Sequence, residues 1–277
     1  TIRILSGYMP PTSGSVHVGG YDIIDQSLEA RRVIGYLPET VPLYDDMTSL
    51  DYLTFMGELH GIKEAEDRAE DMLERVSLLD RADSYIGALS KGMRQRLGIA
   101  QALMHDPQVL LLDEPTIGLD PSQTVELRNL IKELGKEHTI LLSTHILSEA
   151  QQVCNRVLII NKGHIIAEDS PEQLQQRLMG GERVLLHVRE DAAGLIPQLK
   201  ALAGVNDVQA GEDDELIIDL LPGHELRPDI ARIAVQAGYD LLDLTTVRMT
   251  LEEIFLQLTQ EENQTADVPA ETEGSHA

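Results

Sequence analysis

The run from Leu89 to Asp120, LSKGMRQRLGIAQALMHDPQVLLLDEPTIGLD, constrains the fold more than any other part of the chain. Ser90 is placed to cap a helix, its hydroxyl accepting a backbone N–H of the first turn. Gly92 leaves the first amides of that helix open to close approach by an anion. Ile99, Leu103 and Met104 then fall on one helical face. Asp106-Pro107 ends the helix, because proline disfavours helical backbone in the residue before it. Val109-Leu110-Leu111-Leu112 is a continuous apolar run, short enough for a strand buried on both faces of a parallel sheet. Asp113 and Glu114 follow at its carboxyl end, the edge where open α/β sheets bind ligands.

Adjacent carboxylates at that edge have complementary uses. One can hold Mg²⁺ beside a nucleotide. The other can take a proton from an attacking water. An Asp-Glu pair standing alone is more often a solvated turn. Here an anion-binding helix start precedes it in the same run.

The run resembles the ATP-binding cassette (ABC) ATPases. LSKGMRQR looks like their signature motif, LLLDEP like their Walker B and GLD like their D-loop. The resemblance implies an α/β fold, a P-loop NTPase-type cassette with a helical subdomain at about residues 41–106. It implies ATP and Mg²⁺ as cofactors. Asp113 would hold Mg²⁺ through water, and Glu114 would polarise the hydrolytic water. His145, after the apolar strand Thr139–Thr144, matches the H-loop histidine that contacts the γ-phosphate. Ser90 and Gly92, with Lys91 and Gln95 in the same set, would reach the nucleotide of a second ATPase subunit packed head to tail, with Asp120 near the seam. Glu39 stands where the family has the Gln of its Q-loop, and offers an oxygen to Mg²⁺. Some type-2 exporter ATPases of the multidrug and gliding-motility kind have Glu there, and LPE-x-x-P-L-Y is close to theirs.

The start of the chain is read the same way. Thr1–Met9 is the later part of a helix ending near Gly7, and Val16 and Val18 alternate with polar residues as a strand. In the family that helix opens with a phosphate-binding loop, G-x-x-x-x-G-K-[ST]. The chain begins with Thr1, not Met, and continues as the family does after that Lys. The expectation is a truncated start that lacks the loop, the adenine-stacking aromatic, and a strand that lies beside Walker B. As given, such a chain is expected to be inactive.

Further along, Arg31–Glu39 reads as a strand ending at Pro38. In the helical region, Thr48 or Ser49 is the expected cap, with Leu50, Leu53, Phe55, Met56 and Leu59 as the apolar set. The resemblance places the permease contact at Val41–Gly61. Gly180-Gly181 marks a boundary, giving a cassette at 1–179 and a smaller domain at 182–260. Within the latter the order β-α-β-β-α-β predicts a ferredoxin-like α+β fold. Thr250–Thr259 resembles the closing helix of type-2 exporter ATPases, and residues 261–277, with five acids and no Lys or Arg, read as a disordered tail.

Charge and cysteine content narrow the function. The chain of 277 residues has 47 acids against 22 Lys plus Arg, a net charge of −25. Nucleic-acid surfaces neutralise phosphates with cations, so no nucleic-acid partner is expected. One cysteine, Cys154, excludes an internal disulfide and reads as a small core residue. No apolar run reaches the roughly 18 residues of a membrane span. The expected function is the ATP-hydrolysing subunit of an ABC transporter, an exporter, coupling ATP hydrolysis to transport through a separate permease (transmembrane) subunit and acting peripherally at the cytoplasmic face of the membrane. Two alternatives stay open: a soluble ABC ATPase outside transport, and an inactive fragment.

Overall fold

The computed structural model describes residues 1–174, 183–189, 192–211, 215–221, 223–247 and 253. Contacts divide the chain into two compact units, Thr1–Ile146 and Leu147–Ala277. That division falls upstream of Gly180-Gly181, which lies outside the described residues.

The first unit is built on three parallel strands, β3 (Ile34–Leu37), β4 (Val109–Asp113) and β5 (Thr139–Ser143), in the order β3-β4-β5. Leu110, Leu111 and Leu112 are at most 1% exposed, so the middle strand is covered on both faces as its unbroken apolar run requires. Both neighbours of the Walker B strand are therefore filled, by β3 and β5. The strand expected beside it has no place there, and the open edges belong to the outer strands.

Before the sheet come α1 (Ile2–Leu5), a hairpin of β1 (His17–Val18) and β2 (Tyr21–Asp22), and α2 (Ser27–Arg32). Helix α2 corrects the sequence reading, which placed Arg31 and Arg32 in a strand. The segment SLEARR buries Ala30, and Arg31 Nε donates back to the Ser27 carbonyl at 3.0 Å. Extended pairing begins only at Ile34, opposite Val109.

Between β3 and β4 lie α3 (Ser49–Leu59), α4 (Ala65–Arg75) and α5 (Lys91–Leu103). Thr48 caps α3, its hydroxyl accepting from Asp51 N at 3.1 Å. The buried stripe of α3 is Ser49, Tyr52, Leu53 and Gly57, the i, i+3, i+4, i+8 series. Phe55 and Leu59, expected in the core, are exposed. The mismatch comes from counting apolar residues without Ser49 and Gly57, whose small size lets neighbours close over them. A Cβ on Gly57 would come within 2.8 Å of Met104 Cε.

After β4, α6 (Pro121–Leu134) returns along the sheet to β5. The second unit opens with α7 (Leu147–Val153) and an antiparallel hairpin of β6 (Val157–Asn161) and β7 (His164–Asp169). Ala150, Val157, Ile159 and Leu174 form its core, with Cys154 packed against them. Burial raises the Cys154 thiol above its ordinary pKa.

The remainder has a separate core. Its strands are β8 (Arg183–Val188), β9 (Val205–Ala210), β10 (Glu215–Leu220) and β11 (Leu241–Val247), ordered β11-β8-β10-β9 and antiparallel throughout. Helices α8 (Ile196–Lys200) and α9 (Arg227–Gln236) complete the β-α-β-β-α-β order, in the ferredoxin-like arrangement. Alternate residues Val184, Leu186 and Val188 meet Leu216, Ile218 and Leu220 in one apolar layer. The closing helix expected at Thr250–Thr259 and the acidic tail lie outside the described residues, Glu253 excepted.

Candidate nucleotide site

Strand register sets the geometry at the carboxyl edge of the sheet. Asp113 lies opposite Ser143. The Ser143 hydroxyl donates to Asp113 Oδ1. The amide of Glu114 donates to the Ser143 carbonyl at 3.1 Å and to its hydroxyl oxygen at 3.2 Å. One serine thus fixes both carboxylate residues, although no sequence motif singled it out. Its signal was positional: it is the last residue of the strand preceding Thr144-His145.

Glu114 has φ of +48°, in the left-handed region that side chains with a Cβ disfavour. The chain reverses there, and Ile117 N donates back to the Glu114 carbonyl at 3.2 Å. This turn brings the Glu114 side chain, 19% exposed, to His145, whose Nδ1 lies 2.9 Å from Oε2. With Nδ1–H donated to the carboxylate, Nε2 can donate to a phosphate oxygen when the ring carries its second proton. Burial and the Asp113 charge together raise the pKa of Tyr36, on the neighbouring strand. Glu39 is exposed two residues past the end of β3, at the same edge of the sheet.

The cap of α5 is as expected, while Gly92, expected to leave the first amides open, is buried. Ser90 is its N-cap, and its hydroxyl accepts from Met93 N at 3.3 Å. Gly92 lies against α6: a Cβ there would meet Gln123 Oε1 at 2.9 Å. Lys91 runs across Gly118, where φ is +69° and a Cβ would strike the ammonium group. Gln123 and Gly118 are contacts that the sequence did not reveal. Gln95 is only 4% exposed, and its Nε2 has no hydrogen-bond partner. Asp120 caps α6, accepting from Gln123 N at 2.9 Å and from the Ser122 hydroxyl at 2.7 Å. Those two bonds, the backbone one first, hold its carboxyl below the ordinary range.

An acidic pair on a parallel sheet edge, a histidine just past the next strand, and a capped helix start packed on the following turn define a nucleotide-binding α/β domain. The comparisons agree. The family described as ABC transporter matches residues 1–117. The linearmycin resistance ATP-binding protein LnrL of Bacillus subtilis is 35% identical over 264 residues, 94% of this chain and 85% of that protein. The daunorubicin resistance ATP-binding protein DrrA3 of Streptomyces coeruleorubidus is 34% identical over 262 residues, 93% of this chain and 81% of that protein. A solved ATP-binding cassette, MJ0796, in a dimeric post-hydrolysis state bound to ADP and Pi, is similar with a TM-score of 0.54 and 25% identity, over 61% of this chain and 78% of that one. The chain belongs to the ATP-binding subunits of the ABC transporter family.

Proposed function

We propose that this subunit hydrolyses ATP to drive export through a separate permease. The observation that carries the reading is the Glu114–His145 pair, 2.9 Å apart, directly after Asp113. Glu114 accepts the proton of the attacking water, and His145 orients Glu114 and meets the γ-phosphate. Asp113 and Glu39 are the residues suited to Mg²⁺, which would neutralise phosphate charge as the bond breaks. The donor set fits that ion. Carboxylate and hydroxyl oxygens are hard ligands, and Mg²⁺ takes most of its shell from phosphates and water.

Ser90, Lys91, Gly92 and Gln95 serve the nucleotide of a second subunit, with Asp120 at the seam. The dimeric state of the MJ0796 cassette supports this. Gln95 would need to move, since it is buried. The resistance functions in the relatives' names support export. No described helix is long and apolar enough to cross a membrane, which is compatible with a subunit docked at the cytoplasmic face. The docking surface is Val41–Gly61, where Tyr44, Phe55 and Leu59 are exposed. The cassette spans 1–179 and the accessory domain 182–260.

The test is Glu114→Gln in the full-length protein. Gln keeps the size but cannot take the proton. ATP binding should persist, turnover should fall by about 10²–10⁴, and gel filtration with ATP should show a trapped dimer. Normal turnover would move the base elsewhere, with Glu39 the next candidate.

A further inference from the structure

Tyr52 is buried in α3, 1% exposed, yet carries a hydroxyl. Its O–H lies 2.6 Å from Gln101 Oε1 and 3.5 Å from the Pro42 carbonyl. One proton serves one short bond, so Gln101 receives it. Burial first, and Tyr44 second, push the phenol up to about 12. The group therefore remains a donor at any physiological pH.

On its other side Tyr52 meets the surface. Tyr44 packs edge-on against it, centroids 5.9 Å apart at 77°, and Tyr44 touches Phe55 at 6.4 Å. Tyr44 and Phe55 are 52% and 37% exposed. An unbroken series of side chains thus runs from solvent to Gln101 on α5. One turn earlier on α5, Gly98 receives the segment around Glu39: a Cβ there would lie 2.8 Å from Val41 Cγ1 and 2.5 Å from Leu37 Cδ1. The same helix begins at Ser90–Gly92. A helix with continuous hydrogen bonding moves as a unit, so displacement at Gln101 reaches both the Glu39 segment and the helix start.

We propose that the Tyr52–Gln101 hydrogen bond positions α5 in response to contact at the Tyr44–Phe55 patch, making Tyr52 the residue that links permease docking to nucleotide turnover. It rests on the docking surface proposed above. Tyr52 touches neither nucleotide nor permease and acts through Gln101.

The experiment uses the full-length subunit with its permease in proteoliposomes. Tyr52→Phe removes the hydroxyl and keeps the ring. Assembly and the basal ATPase rate of the free subunit should be unchanged, while stimulation by the permease falls about fivefold or more. Gln101→Met should do the same, and the double variant should do no worse, because all three break one bond. The double variant also leaves no buried polar atom of the pair unpaired, so its unfolding midpoint checks that the loss is not a folding defect. Undiminished stimulation in the double variant, or losses that add, would overturn the proposal. Tyr44→Arg tests the docking surface separately through assembly: normal assembly removes that surface, whatever Tyr52→Phe does to stimulation.

Discussion

His60 and His105 stack face to face, with ring centroids 4.3 Å apart and planes within 3°. His60 is the C-cap of α3, and His105 follows α5. His105 Nε2 lies 2.9 Å from the Ile34 carbonyl and donates to it, while its buried Nδ1 has no partner. A second proton would have to sit on that Nδ1, beside another imidazole and near Arg68.

Burial lowers the pKa of both rings, and for His105 the neighbouring His60 adds to the effect. Below the unfolded value of 6.5 the unfolded chain binds more protons than the folded one. The contribution of the pair is therefore full above about pH 6.5 and is lost as pH falls toward the lowered folded values. Urea midpoints should drop between pH 7.5 and 5.5, and His60→Asn should raise the pKa of His105 in an NMR titration. An unmoved His105 titration would show that the rings do not interact.

Ser143→Ala should slow turnover in the full-length protein by about tenfold or more while leaving the fold intact. The hydroxyl donates to Asp113 and accepts from the Glu114 amide. Its loss frees the Asp113 carboxylate to drift, while the Glu114 amide keeps only its bond to the Ser143 carbonyl. Rates equal to wild type would mean that strand geometry alone holds the pair.

Gly98→Ala sets two effects against each other. Alanine gains about 1 kcal/mol of helix propensity over glycine. The new Cβ would press on Leu37 and Val41, and overpacking of this kind costs about 1–3 kcal/mol. The net expectation is destabilisation, read from chemical denaturation. A more stable variant would show that the Glu39 segment yields easily.

Residues 182–260 expressed alone should unfold cooperatively. Among the described residues, the core of that part draws its buried residues from 184–234, with partly buried neighbours as far as Leu244. A thermal melt without a transition would show that the cassette completes this fold.

The sequence made the sheet and its acidic edge readable because both are local. The apolar strand, the Ser90 cap and the Asp113-Glu114 pair each declare themselves within a few residues. In the accessory part, Glu215–Leu220 buries alternate residues Leu216, Ile218 and Leu220, the period of two that a strand with one buried face requires. Helix α2 escaped because six mostly polar residues carry little periodic signal. The stripe of α3 was misread because Ser49 and Gly57 count as polar or neutral in a pattern, yet are buried by neighbours distant in sequence. Ser143, Gln123 and the Tyr52–Gln101 bond escaped for that same reason: tertiary pairing brings them together, and no spacing along the chain encodes it.

The positive φ of Glu114 also bears on how this position would respond to selection. A left-handed backbone costs a glutamate of order 1 kcal/mol, and costs glycine or asparagine less. Libraries sorted for thermal tolerance alone should therefore enrich Gly and Asn at residue 114, and the survivors would be hardy proteins without the carboxylate proposed as general base. Only a screen that demands turnover would return the carboxylate, so the residue found at this site reports which pressure the population experienced.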